Sequence, residues 1–334
     1  MRATRNRDGR QRSVARQLAT TLGAALLVVA SAVSAQSYPN RPVRIIVPFP
    51  AGGPSDVGIR VVGERLASAW NQQVVVENRP GANTIIGAEA VAKAPPDGYT
   101  LLSAIDSTLT MNQFLYAKLP YDPIKDFAPV SLLFWSPVIL VVDAKSGAAT
   151  MRDLIAMAKS KPGKVTFGGG TVATQLMGER IKRLANLEIV YVPYKGSPGT
   201  VQGLLSNDVD FIIDGVTSSV PHIRSGKFRV LANLGSRPIS ALPNLPYLSA
   251  EPGFENFNAG VWLGLAAPAG TPADVIARIN QDVTRALGIA EVKDKLESVG
   301  LEAMPSGTAE FAAYIKNEAE RSGELIRRVG IKLE

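Results

Sequence analysis

Short runs of β-branched and apolar residues recur along the chain with helical patterns between them. Residues 43–49 (VRIIVPF), 73–77, 100–104, 165–167, 189–192, 210–213, 229–232 and 261–266 read as strands. Residues 56–70, 84–94, 150–159, 174–185 and 200–205 read as amphipathic helices. This alternation predicts an α/β fold in which mostly parallel sheets are flanked by helices. Thr150 with Asp153 three residues on resembles a capping arrangement, and Thr271-Pro272 puts a capping hydroxyl before a proline. Gly300 and Gly330 sit where helices end. The chain closes with helical patterns at 272–287, 291–299 and 308–329, interrupted by an extended piece at 301–304.

A chain of this length in β/α order exceeds what one core holds, so two lobes are expected. The extended segments 138–142 (VILVV) and 261–266 (VWLGLA) lie almost symmetrically about its middle. We read them as the two crossings of a hinge, with lobe I at 38–138 plus 266–334 and lobe II at 139–265. The interface between such lobes is a natural ligand cleft.

Composition narrows the chemistry. Cysteine is absent and His222 is the single histidine, which excludes thiolate nucleophiles, disulfides, Cys/His zinc sites and iron–sulfur clusters. The formal charge of +7 is unevenly placed. Arg2, Arg5, Arg7, Arg10, Arg12 and Arg16 face one acid, Asp8, and an uncharged stretch follows to residue 35 with its apolar heart at 22–30. With Val33-Ser34-Ala35 at its end, residues 1–35 read as a signal peptide, which puts the mature protein in the periplasm. The alternative, an uncleaved anchor, is weakened by Thr20, Thr21 and Gly23. Removing six arginines and one aspartate from 36 basic and 29 acidic residues leaves a mature chain near +2. Such a chain has little reason to bind nucleic acid.

Three loops carry candidate chemistry. The first strand runs through Phe49, Gly52, Gly53, Ser55 and Asp56 into a helix, offering backbone N–H groups and a helix N-terminus suited to a carboxylate. Its bland reading is a proline-rich turn whose Ser55 caps a helix. A second loop of this kind holds Gly168, Gly169, Gly170, Thr171 and Thr174. Neither loop is a Walker A or a G-x-G-x-x-G fingerprint, so no cofactor is expected. The third loop, Asp106-Ser107-Thr108, also ends a strand; Asp106 is either a helix cap or a counter-charge for a cationic ligand group, and Asp214 has the same two readings. His222 and Lys195 read as structural. No nucleophile–base–orienter set assembles, so we expect neither catalytic nor metal-ligating residues. The competing reading is an exported enzyme using Asp106, Asp214, Lys195 or His222.

Several motifs in order resemble the Bug family of periplasmic solute receptors, the binding component associated with tripartite tricarboxylate transporters. They are Tyr38-Pro39 with Arg41-Pro42-Val43, Val47-Pro48-Phe49-Pro50-Ala51-Gly52-Gly53, Val76-Glu77-Asn78-Arg79-Pro80-Gly81-Ala82, Pro96-Asp97-Gly98-Tyr99-Thr100, Tyr121-Asp122-Pro123, Val192-Pro193-Tyr194-Lys195-Gly196-Ser197 and Ala267-Pro268-Ala269-Gly270-Thr271-Pro272. The resemblance implies a two-lobed Venus-flytrap receptor without enzymatic activity, closing over a small carboxylate: a monocarboxylate, an amino acid or a dicarboxylate. It implies binding loops at 49–56 and 168–175. It also implies delivery to a tripartite tricarboxylate-type membrane transporter, with a sensor protein as the alternative partner, by a monomeric receptor. The chain departs from the pattern in a shorter second loop with Val172-Ala173 at often-polar positions, and in Asp106 where small neutral residues are usual. No arginine lies in the three loops, which favours a monocarboxylate or amino acid over a tricarboxylate.

Overall fold

A computed structural model describes residues 38–333, so the expected leader at 1–35 lies outside the described residues. The fold is built by residues from Arg41 onward. β1 (Val43–Val47) leads into α1 (Pro54–Trp70), β2 (Val74–Asn78) into α2 (Ile85–Ala92), and β3 (Thr100–Ile105) into a π-helical turn (Ser107–Met111) and α3 (Asn112–Leu115). The long β4 (Phe127–Asp143) precedes α4 (Met151–Ser160), β5 (Val165–Gly169), α5 (Val172–Leu184), β6 (Ile189–Pro193), α6 (Gly196–Leu205), β7 (Phe211–Gly215), α7 (Val216–Arg224) and β8 (Phe228–Asn233). β9 (Gly260–Pro268), α8 (Ala273–Leu287), α9 (Ala290–Ser298), β10 (Glu302–Ala303) and α10 (Thr308–Val329) complete the chain. The expected cap is present: Thr150 accepts from the Asp153 N–H while Asp153 accepts from that of Thr150.

The strand order is β2-β1-β3-β9-β4-β7-β5-β6, with β8 and β10 also pairing β4. β1, β2 and β3 pair in parallel, as do β5, β6 and β7. The middle is antiparallel: β9 runs against β3 and β4, and β4 against β7 and β8. β4 is far longer than the five residues 138–142 expected, and it includes Pro129 and Pro137, which strand interiors seldom hold. The chain accommodates Pro129 with register shifts against β9, between Pro129 and Ser131 and again between Leu132 and Phe134. Residues up to Pro137 pair with β9, and from Val138 onward β4 pairs with β7 and β8 instead.

Burial follows the period of two. Val138, Leu140 and Val142 enter one apolar cluster with Phe167, Phe211 and Leu176, while Ile139 and Val141 enter another with Ile212, Val216 and Leu204. A sheet covered on both faces explains why VILVV reads as an unbroken apolar run. A third cluster holds Ile46, Leu102, Trp262 and Phe311 under the first strands. α10 joins clusters: Phe311 and Ile315 pack in the third, Ile326 in the first. Among the described residues no helix is long and apolar enough to cross a membrane.

Candidate functional site

β1, β5, β6 and β7 end at loops whose helices start around one narrow cavity. Its walls are Gly53, Pro54 and Ser55 at the start of α1, Thr171 and Thr174 at α5, Gly196, Ser197 and Pro198 at α6, and Asp214 and Gly215 before α7. Phe49 and Pro50 form one side, and Ile105, Ser136, Val261 and Leu263 rise from β3, β4 and β9. The space, counted together with the open solvent at its mouth, is about 500 Å³. Among the described residues lining it, none is Lys, Arg or His. Four helix N-termini converge on it instead, each turning the positive end of its dipole that way.

Each first turn leaves donors open. Pro54 at the first helical position needs no partner, and the N–H groups of Gly53, Ser55 and Asp56 have no acceptor in the chain. At α5 the Thr171 hydroxyl accepts from the Thr174 N–H at 3.2 Å, leaving those of Val172 and Ala173. The α5 and α6 entries are stitched together, since Gly196 N–H donates to the Gly170 carbonyl at 3.1 Å and Tyr194 N–H to that of Gly169 at 3.0 Å. A Cβ on Gly170 would stand 2.4 Å from the Gly196 carbonyl carbon, so this approach requires glycine. The buried hydroxyl of Ser136 has no partner in the chain, and the Ser55 hydroxyl is tied to Ser103 at 2.8 Å. Ser218 of α7 donates to the Gly52 carbonyl at 3.1 Å, linking the first loop to α7.

Asp214 is the ionisable group of this cavity. Burial pushes its carboxyl up to about 7, against hydrogen bonds from the Ser197 hydroxyl, the Gly215 N–H and the Ser219 hydroxyl. Near neutral pH it carries its proton part of the time. A protonated Asp214 can donate to a ligand oxygen, whereas an ionised one repels a carboxylate.

Phe49, Gly53, Ser55, Thr171, Thr174 and Asp214 thus meet at one cavity, and Gly170 lines a wider outer chamber that shares Phe49, Pro50, Thr171 and Gly196 with it. The other expected residues are placed differently. Gly52 spends its N–H on Asp56 at 2.9 Å, so that donor is not free. Asp56 also accepts from Arg60 and Asn78; burial raises its carboxyl, but these bonds together hold it below the usual range. It fastens the loop. The Gly169 carbonyl is taken by Tyr194 N–H and the Tyr191 hydroxyl. Asp106 misses the cavity: Ile105, the last residue of β3, lines it, while Asp106 takes helical dihedrals at the head of the π-turn and lines a different space. Ser107 and Thr108 are buried in the π-turn, where Thr108 donates to the Thr84 hydroxyl at 3.0 Å. Sequence reasoning missed Ser136, Ser197 and the apolar floor. Ser197 stood in the VPYKGS run beside Lys195, which lines the outer chamber; Ser136 has no local signal.

The chain is similar to known proteins over most of its length. A family model described as tripartite tricarboxylate transporter family receptor matches residues 59–331. Protein BugT of Bordetella pertussis is 35% identical over 309 residues, covering 92% of this chain and 94% of its own. An R. palustris protein solved with adipate superposes with a TM-score of 0.85 at 29% identity, over 89% of this chain and 99% of that one. The periplasmic binding protein BugD gives a TM-score of 0.83 at 28% identity, over 89% of this chain and all of that one. The chain therefore belongs to the tripartite tricarboxylate transporter receptor family, the Bug-type periplasmic solute-binding proteins.

Proposed function

We propose that this receptor takes a small organic carboxylate into the cavity ringed by the four helix N-termini. One observation carries the reading: these open N–H donors and the unpartnered Ser136 hydroxyl converge on a space without basic side chains. The ligand carboxylate accepts from the first turns of α1 and α5. Its other end points to the outer chamber, where Lys195 and Asn83 suit a second polar group. The adipate bound by the R. palustris relative makes a dicarboxylate the first candidate.

The motion we assign is closure of two lobes, 38–138 plus 266–334 against 139–265. The change of partners within β4 at Pro137–Val138 supports a crossing there. Residues 1–35 act as the export signal, and the loaded monomer delivers its carboxylate to a tripartite tricarboxylate-type transporter. Calorimetry of the mature chain against a panel of mono- and dicarboxylates, adipate included, tests the reading. We expect a 1:1 complex, weakened about tenfold or more by Ser197→Ala together with Ser136→Ala. If ligand-free protein binds no member of the panel, the proposal fails.

A further inference from the structure

A second cavity lies on the other face of the same strands. Alternation along β9 and β4 turns Leu263, Val261 and Ser136 toward the first cavity and Trp262 and Trp135 toward the second; Ile105 at the end of β3 lines the first, and Asp106 at the head of the π-turn lines the second. Ile105 stands opposite Leu263 and Trp135 opposite Trp262, which sets Asp106 beside Trp262. The space, about 1310 Å³ counted together with the open solvent at its mouth, is walled by α5 through Arg180 and by α10 through Tyr314, Glu318 and Arg321. No described residue lines both it and the first cavity or the outer chamber.

Its floor holds polar groups that lack partners. Asp106 is 4% exposed; its Oδ1 accepts from the Ser107 N–H at 2.6 Å, and its Oδ2 has no partner in the chain. Trp262 is 2% exposed, and its Nε1 also has none. A buried carboxyl without a cation is costly, and burial with nearby Glu318 pushes Asp106 up to about 7. Glu318 itself is paired with Arg321 at 2.6 Å. On the facing wall Arg180 stacks 4.3 Å over Phe257 and donates to the Asn256 carbonyl at 2.8 Å, with no carboxylate in ion-pair reach among the described residues. Glu324 and Arg328 also line the cavity, from the C-terminal part of α10.

The cavity is therefore dipolar, with an unpaired acid on its floor and an unpaired guanidinium on its wall. A simple anion would meet Asp106, and a simple amine would meet Arg180. A molecule bearing both charges satisfies both, and Trp135, Trp262 and Tyr314 line the cavity with the aromatic rings that attract an ammonium. We propose that the cavity behind β3, β9 and β4 is a second binding site, for a small zwitterion of amino-acid type held through its ammonium by Asp106 and through its carboxylate by Arg180.

The test is calorimetric titration of the mature chain, wild type and variants, with each common L-amino acid. We expect at least one to bind, with affinity reduced about tenfold or more in Asp106→Asn and in Arg180→Gln and retained in Ser197→Ala. Arg180→Gln alters a half-exposed position, so its result stands even if Asp106→Asn misfolds. The proposal is overturned if no amino acid binds, or if binding survives in Arg180→Gln, or if it is lost in Ser197→Ala. Adipate binding reads the first cavity separately, so failure of either proposal leaves the other standing.

Discussion

Asp214 sits where three hydrogen bonds meet in the wall of the proposed carboxylate cavity, and its proton has consequences for stability and binding. Its folded value, about 7, is above the ordinary 3.8, so between those values the unfolded chain has released a proton that the folded chain keeps. Stability from this group is therefore greatest at low pH and declines as pH rises toward 7. Asp214→Asn removes the decline. Relative to wild type, the variant should gain about 2–3 kcal/mol between pH 5 and pH 8 in urea denaturation, at about 1.4 kcal/mol for each pH unit up to 7. A pH-independent difference between the two would contradict the burial argument. Carboxylate affinity should also fall in wild type as pH passes through 7, and calorimetry at pH 6 and pH 8 checks it.

The working parts are the strand-to-helix junctions. Each supplies donors only if its backbone keeps the approach to its neighbour, and Gly170 against Gly196 is the tightest of these contacts at 2.4 Å from a built Cβ. Gly170→Ala should cost about 1–3 kcal/mol and abolish carboxylate binding. Gly147→Ala, where a Cβ meets nothing within 4 Å, should change stability by less than about 0.5 kcal/mol. Equal thermal stability of the two variants would show that the junction has slack. α5 starts two residues before the expected 174, and Thr171 caps it, its hydroxyl accepting from the Thr174 N–H.

Over the whole molecule, β4 and α10 tie the parts together. β4 changes partners at Pro137–Val138, and α10 contributes Phe311 to one apolar cluster and Ile326 to another. In the proposed closure these elements bend or slide while the sheets move as rigid bodies. Small-angle scattering should give a smaller radius of gyration with saturating adipate, or whichever carboxylate calorimetry identifies, than without it. An unchanged radius with bound ligand would argue for a rigid receptor.

The sequence alone determined what is local: the order of strands and helices, the Thr150 cap, and the glycine- and serine-rich strand ends, because periodicity and capping depend on residues a few positions apart; the cap expected of Thr271 does not form, since its hydroxyl donates to the Pro268 carbonyl and Pro272 takes the cap position. It also carried the family, through motifs spread from Tyr38 to Pro272. Tertiary structure decided which strand ends meet. Asp106 and Asp214 look alike in sequence, each an acid closing an apolar strand, yet Asp106 turns into the π-turn and lines the rear cavity while Asp214 stays in β7 and lines the front one. Ser136 and Trp262 acquire unpartnered polar atoms only when β3, β9 and β4 pair and bury them. Which face a side chain takes, and what lies opposite it, depends on pairing between residues more than a hundred positions apart, and no local pattern encodes that.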